Sequence, residues 1–177
     1  MKWHAPHIGG KEYDLSHLHP FAWDLVVQGK DGKPERRYGI DVTFSLHCFT
    51  KGKREAQTPY ASELEYSDSR ETRLFDNARY ELSFQLPHII RTIDSRPCFR
   101  TGHGNFFTIK MQDADGRAVE YTVYFKVSRS SHKGRLNLYV ESAYVQNSIP
   151  RRKASPRKPI RFYVIAFNVQ NNKPIAR

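Results

Sequence analysis

The sequence predicts an α+β fold, in which an N-terminal β-hairpin is followed by one or two short helices and a four-stranded antiparallel sheet. Three observations support this class. Apolar residues alternate with period two on both sides of an Asp31-Gly32 turn, a helical segment follows Asp76, and strand-like segments follow residue 105. The length suits a single domain over residues 1–177, with an irregular lead-in over residues 1–20.

The N-terminal hairpin is the clearest local pattern. Asp31-Gly32 is typical of a type I′ turn, because both central residues of that turn must tolerate positive φ. A two-residue turn there gives three apolar pairs and so assigns one face to the core: Leu25 with Tyr38, Trp23 with Ile40, and Phe21 with Val42. The opposite face of the second strand is polar and ends at His47.

Two helices and four strands are predicted after a polar loop over residues 51–72. Asp76 is placed to cap a helix from Asn77 to about Gln85, and Pro87 fits the first position of a second helix. The predicted strands are Phe106–Gln112, Ala118–Ser128, Leu136–Val145 and Ile160–Asn168. Three prolines and five basic residues make residues 147–159 an exposed basic loop.

The net charge of the chain lies entirely in its last third. Residues 1–120 hold 17 Lys/Arg and 17 Asp/Glu, whereas residues 121–177 hold 12 Lys/Arg and one acid, which accounts for the net charge of +11. Such a concentration of cations indicates a polyanion partner. Nucleic acid is therefore the expected partner, with RNA favoured over DNA. The basic loop contributes the phosphate contacts Arg151, Arg152, Lys153, Arg157 and Lys158.

The polar face of the C-terminal sheet is the predicted site. Pairing Phe125 with Leu138 places Lys126, Tyr124, Tyr139 and Glu141 on one face. Further nucleic-acid contacts are expected beside these residues, from Arg135, Arg161 and His132. Tyrosine rings can stack on unpaired bases and cations can hold phosphates. The one acid in this region, Glu141, is either a catalytic carboxylate or half of a cross-strand ion pair.

His47 and His103 are the candidate acid–base histidines, because imidazole titrates near neutral pH. A zinc site of His47, Cys48, Cys98 and His103 is an alternative use of the first histidine. Adjacent residues of a strand point to opposite faces, however, so we expect no metal site. The sequence contains no Walker-type loop, GxGxxG, HExxH or GxSxG motif, and no cofactor is expected.

Residues 76–170 also resemble the barnase–EndoU–colicin–RelE group of small ribonucleases, many of which are toxins. The segments that carry the resemblance are Arg79–Ser83 with Leu86-Pro87, Tyr139–Tyr144 and Ile160–Asn168. The resemblance implies metal-independent RNA cleavage, in which a 2′-hydroxyl attacks the adjacent phosphate. It assigns Glu141, His47, His103 and Lys126 to catalysis only through the chemistry that this reaction needs. It also leaves open an antitoxin or immunity protein as a partner.

Other features of the sequence point to the cytoplasm. No apolar run approaches the roughly 18–20 residues that cross a membrane, the first residues have no signal-peptide pattern, and there are only two cysteines.

The predicted function is an RNA-directed protein, a metal-independent endoribonuclease of toxin or mobile-element type. The alternatives are a nucleic-acid-binding module without catalysis and an inhibitor-type protein whose basic loop docks on an acidic partner.

Overall fold

The structure is a computed structural model that describes residues 2–29, 32, 34–56, 59–101, 105–112, 116–145 and 158–175. The strands are β1 (His7–Ile8), β2 (Lys11–Glu12), β3 (Phe21–Val27), β4 (Arg36–Phe44), β5 (Thr50–Lys51), β6 (Glu65–Ser67), β7 (Thr72–Phe75), β8 (Phe99–Arg100), β9 (Asn105–Gln112), β10 (Ala118–Arg129) and β11 (Arg135–Val145). The α-helices are α1 (Asn77–Ser83), α2 (Leu86–Arg91) and α3 (Phe162–Gln170). Single 3₁₀ turns cover Ser16–Leu18, Leu46–Cys48, Lys53–Glu55, Ser62–Leu64 and Ile93–Ser95. The predicted α+β class is confirmed.

The main sheet has six strands in the order β3-β4-β11-β10-β9-β8. All neighbours are antiparallel except β4 and β11, which pair in parallel from Arg135 beside Gly39 to Val140 beside Phe44. β8, β9, β10 and β11 therefore form a run of four antiparallel strands. β9, β10 and β11 lie where strands were predicted, and β8 is the remaining strand. The N-terminal hairpin extends the same sheet through the parallel pair, which local patterns in the sequence do not specify.

The predicted register of the N-terminal hairpin is confirmed, since β3–β4 pairs Leu25 with Tyr38, Trp23 with Ile40 and Phe21 with Val42. On the core side of β9–β10 the pairs are Met111 with Val119, Ile109 with Tyr121 and Phe107 with Val123. The β10–β11 register is wrong by two residues, since Phe125 pairs with Val140. A β-bulge between Tyr124 and Phe125 shifts the ladder by one further residue. The bulge returns Ala143 and Val145 to the apolar face, so that the apolar positions of β11 change parity after Val140.

The predicted fourth strand, Ile160–Asn168, is wrong. From residue 162 onward the chain forms α3, whose buried residues Phe162, Ile165 and Ala166 have helical spacing. The Phe162 ring packs against Trp23 and Phe125, so α3 covers the apolar face of the main sheet. This tertiary packing overrides the β-propensity of the aromatic and β-branched residues in the segment.

The helices predicted after Asp76 are confirmed. The Asp76 carboxylate accepts a hydrogen bond from the backbone N–H of Arg79 at 3.0 Å and so caps α1. Pro87 lies in the first turn of α2, where its missing N–H costs no helical hydrogen bond. α2 places Leu86, Ile89 and Ile90 in the hydrophobic core.

The segments predicted to be irregular contain short strands. Within the lead-in, β1 and β2 form a hairpin, and Trp3, Leu15 and Leu18 are buried in the core. The predicted loop over residues 51–72 contains most of a small sheet in the order β5-β7-β6. These strands have two to four residues each, which is too short for a period-two pattern to be recognised.

The main sheet has one buried and one partly exposed face. Ile40, Val42, Leu138, Val140 and Phe125 are on the buried face, against the helices. The polar side chains of β4, β10 and β11 occupy the other face, as predicted. Among the described residues, no helix is long and apolar enough to cross a membrane.

Two substitutions in α3 test the helical assignment. Ile165→Ala should lower the free energy of unfolding by about 2–5 kcal/mol, because Ile165 is fully buried. Tyr163→Ala is the matched control, and it should cost about 1 kcal/mol or less because Tyr163 is 39% exposed. Positions 163 and 165 would lie on the same face of a strand. Equal losses in chemical denaturation would therefore contradict the helix.

Candidate functional site

The candidate site lies where the parallel pairing of β4 with β11 ends. Their ladder stops at Phe44 and Val140, and the Ser45 backbone N–H then donates to the Val140 carbonyl at 3.0 Å. The chain next enters the 3₁₀ turn Leu46–Cys48, with Ser45 at its start. Residues that follow paired positions of two parallel strands lie at the same end of the ladder, and His47 and Glu141 both line one cavity there.

The Ser45 side chain connects these two segments. Its hydroxyl donates to the backbone carbonyl of Glu141 at 2.6 Å and accepts from the backbone N–H of His47 at 2.9 Å. Ser45 is only 3% exposed. A hydroxyl can donate and accept at once, and this one fixes the backbone of both candidate catalytic residues.

The bulge in the β10–β11 ladder lies beside Glu141. Tyr124 pairs with Ser142 and Phe125 pairs with Val140, which leaves Glu141 as the extra residue. Bulges commonly re-aim side chains next to functional sites. Both Glu141 and Ser142 line the same cavity, although adjacent residues of a regular strand would face opposite ways.

A cavity of about 640 Å³ opens on the polar face at this point. Its lining comes from the residues after β4, the turn between β6 and β7, the residue after β8, and strands β10 and β11: Ser45, Leu46, His47, Arg70, Glu71, Thr101, Tyr124, Tyr139, Glu141, Ser142 and Tyr144. Cavities that hold small ligands usually measure about 300–1,000 Å³. The volume therefore suits a ligand of about one nucleotide.

His47 forms a hydrogen bond with Glu71, which comes from the turn before β7. The distance between His47 Nε2 and Glu71 Oε1 is 2.6 Å. This hydrogen bond is the main reason that the pKa of Glu71 is lowered, and Glu71 therefore stays ionised at neutral pH. A carboxylate on one ring nitrogen orients the imidazole of His47.

Glu141 forms a cross-strand ion pair with Lys126. The distance between Lys126 Nζ and Glu141 Oε1 is 2.5 Å, and the Glu141 side chain keeps 31% of its surface exposed. The structure therefore contains the cross-strand ion pair, which is one of the two interpretations of Glu141. The pair does not remove the carboxylate from the cavity, because Glu141 also contributes to the cavity wall.

Two other polar contacts define the walls of the cavity. Arg70 Nη2 donates to the Tyr139 hydroxyl at 3.4 Å, which links the β6–β7 turn to β11. The Tyr124 and Tyr144 rings stack with centroids 5.7 Å apart. Burial and the hydrogen bond to Tyr124 raise the pKa of Tyr144 to about 12.

Comparison with known proteins gives the family. The chain matches the YjaZ family model over residues 5–170. It is 33% identical over 172 residues to Protein YjaZ of Escherichia coli (strain K12), and the match covers 96% of this chain and 90% of the relative. The chain belongs to the YjaZ family. No solved structure matches it.

The resemblance to the barnase–EndoU–colicin–RelE ribonucleases is wrong, because the family match extends over nearly all of the chain and belongs to the YjaZ family. The resemblance depended partly on a C-terminal basic strand at Ile160–Asn168, and this YjaZ-family protein has a helix there. It also left out the N-terminal hairpin, which here is part of the main sheet.

The structure brings several predicted site residues together. Lys126, Tyr139 and Glu141 share the polar face, Tyr124 lies beside them, and His47 borders the same cavity. His103 and the loop cations Arg151, Arg152, Lys153 and Arg157 lie outside the described residues, and Lys158 is exposed.

Three predicted nucleic-acid contacts lie away from the cavity. The Arg135 guanidinium makes three hydrogen bonds of 2.7–3.1 Å to Asp41 at the opposite end of the strands, and a Cβ on Gly39 would be 2.7 Å from Arg135 Nη1. His132 lies in the β10–β11 turn. Arg161 was predicted to border the polar face, but it precedes α3 on the other side of the sheet and donates to the Asp94 carbonyl.

Sequence analysis missed Glu71, Arg70, Ser142 and Tyr144. The first two lie in the segment predicted to be a polar loop, and no local pattern connects that loop to His47. In a regular strand Ser142 and Tyr144 would point to the apolar face together with Leu138 and Val140. The bulge turns them toward the cavity instead. Within the described ranges, no group of three or more His, Cys, Asp or Glu side chains could hold a metal ion.

The Ser45 hydroxyl should contribute measurably to stability. Ser45→Ala leaves the Glu141 carbonyl and the His47 N–H without their partner, so the free energy of unfolding should fall by about 1–3 kcal/mol in chemical denaturation. Ser128→Ala, at an exposed position of β10, is the control and should change it by less than about 0.5 kcal/mol. A Ser45 variant as stable as the control would refute the connection.

Proposed function

We propose that this protein is RNA-directed and cleaves RNA in the cavity by acid–base chemistry. The observation that carries the proposal is the pairing of the two acid–base groups. His47 is held by Glu71, Glu141 is held by Lys126, and both groups face one cavity. General acid and base pairs of this kind serve reactions in which one proton leaves a nucleophile while another reaches a leaving group.

The proposed reaction uses the 2′-hydroxyl of RNA as the nucleophile. Glu141 accepts the proton of that hydroxyl, and a bond forms between the 2′-oxygen and phosphorus. The bond from phosphorus to the 5′-oxygen breaks, and protonated His47 donates its proton to that oxygen. The products are a 2′,3′-cyclic phosphate and a 5′-hydroxyl. RNA is favoured over DNA because only RNA has the nucleophile.

Two cations at the cavity suit the charge that develops on the phosphate. Arg70 lines the cavity wall, and Lys126 lies within 2.5 Å of Glu141. Cations fixed where negative charge develops lower the barrier to such a reaction. Residues 121–177 contain 12 basic residues and one acid, and this positive charge supports a polyanionic substrate. The two cysteines are free buried thiols, which is in keeping with a cytoplasmic protein.

RNA binding without cleavage is the second candidate function, and the Lys126–Glu141 ion pair favours it. A carboxylate held at 2.5 Å from an ammonium group fills a structural role without any chemistry. The two candidates share a ligand and differ in whether the bound RNA is cut, so a cleavage assay separates them.

Glu141→Gln should lower the rate of RNA cleavage by about 10²- to 10⁴-fold, which is typical for loss of a general base. The side chain keeps its size and loses a negative charge, so affinity for RNA should stay equal or rise slightly. The assay uses unmodified RNA in the presence of a chelator. Glu120→Gln, which changes an exposed carboxylate of β10, is the matched control and should cleave normally.

Three results would contradict the cleavage proposal. The first is a Glu141→Gln variant that cuts at the rate of the original protein. The second is an unfolded Glu141→Gln variant, which would make the carboxylate a structural partner of Lys126. The third is loss of all cleavage on chelation. If the original protein binds RNA and does not cleave it, RNA binding without cleavage is the function that remains.

A further inference from the structure

Four aromatic rings form a row across four neighbouring strands on the face where the cavity opens. The row runs from Phe99 on β8 through Phe106 and Tyr124 to Tyr144 on β11, with successive ring centroids 5.5, 5.6 and 5.7 Å apart. Adjacent rings are inclined to one another by only 20–32°. The Arg79 guanidinium continues the row, with its Cζ 5.1 Å from the Tyr144 centroid.

The aromatic row is partly exposed and continuous with the candidate site. All four rings are neither buried in the core nor fully exposed. Tyr124 and Tyr144 belong both to the row and to the lining of the cavity, where they stand near Glu141. If a flat group of a ligand lies against the row, the adjoining part of that ligand would therefore lie inside the cavity.

We infer that the aromatic row binds unpaired bases, so that the substrate is single-stranded RNA threaded from the row into the cavity. The inference rests on the proposed function for the nature of the ligand and adds the form in which RNA is bound. Aromatic side chains on a sheet surface stack on splayed bases, whereas paired bases already stack on each other. The cavity of about 640 Å³ suits one nucleotide and is too small for a duplex.

The row has a simpler structural role, which the experiment must separate from binding. Cross-strand aromatic pairs stabilise sheets, and β8 is a two-residue strand at the edge of this one. Phe106→Leu keeps an apolar side chain and removes the flat aromatic face, whereas Phe106→Tyr keeps the face. Phe84→Leu makes the same change at an exposed ring outside the row, where Phe84 follows α1 and stacks on His17.

The probe is a 2′-O-methyl RNA of about ten nucleotides, which lies within the usual site sizes and cannot be cut because its 2′-oxygen carries no proton. We expect it to bind more tightly single-stranded than as the matching duplex. Phe106→Leu should weaken single-strand binding by about 5- to 100-fold, while Phe106→Tyr and Phe84→Leu bind within about twofold of the original protein. Unfolding midpoints measured in parallel show whether Phe106→Leu remains folded.

The outcomes distinguish this inference from the proposed function. Duplex binding as tight as single-strand binding, or unchanged affinity in folded Phe106→Leu, would overturn the inference while cleavage of unmodified RNA stands. Should Phe106→Leu unfold, Tyr124→Phe and Tyr124→Leu replace it, with weaker single-strand binding expected for leucine alone. Equal binding by those two variants would likewise overturn the inference. Loss of binding in the leucine variants with no cleavage by the original protein would support the inference and refute the cleavage function.

Discussion

The hydrogen bonds of the Ser45 hydroxyl are the constraint on which the site depends. They join the end of β4 to the bulge of β11 at the point where the parallel ladder stops. Without that ladder, His47 and Glu141 would belong to segments nearly one hundred residues apart with no reason to meet. With it, two irregularities of the backbone, a 3₁₀ turn and a bulge, open toward the same cavity.

The site combines charge pairing with partial exposure. Glu71 contacts His47 and Lys126 pairs with Glu141, yet the His47 and Glu141 side chains each keep about a third of their surface in contact with solvent. Surface ion pairs of this kind contribute little to stability. We therefore infer that the contacts with Glu71 and Lys126 mainly orient the side chains of His47 and Glu141. The aromatic row lies on the same face, so binding and chemistry would share Tyr124 and Tyr144.

Local patterns in the sequence predicted the local structure well. The hairpin register and the Asp76 cap depend on neighbouring residues, and both are present. The polar face that holds Lys126 and Glu141 was also predictable, because parity survives a register error of two residues. What the sequence did not reveal depends on distant contacts: the parallel pairing of β4 with β11, the approach of Glu71 to His47, and the packing that makes Ile160–Asn168 largely helical.

A double-mutant cycle on cleavage of unmodified RNA tests the central claim most directly. The variants are Glu141→Gln, His47→Asn and their combination, assayed with a chelator present. If the two residues are base and acid of one step, the double variant should be little slower than the slower single variant, because groups that act as a unit give strongly non-additive losses. Rate losses that multiply in the double variant would show that His47 and Glu141 act independently and would contradict the account.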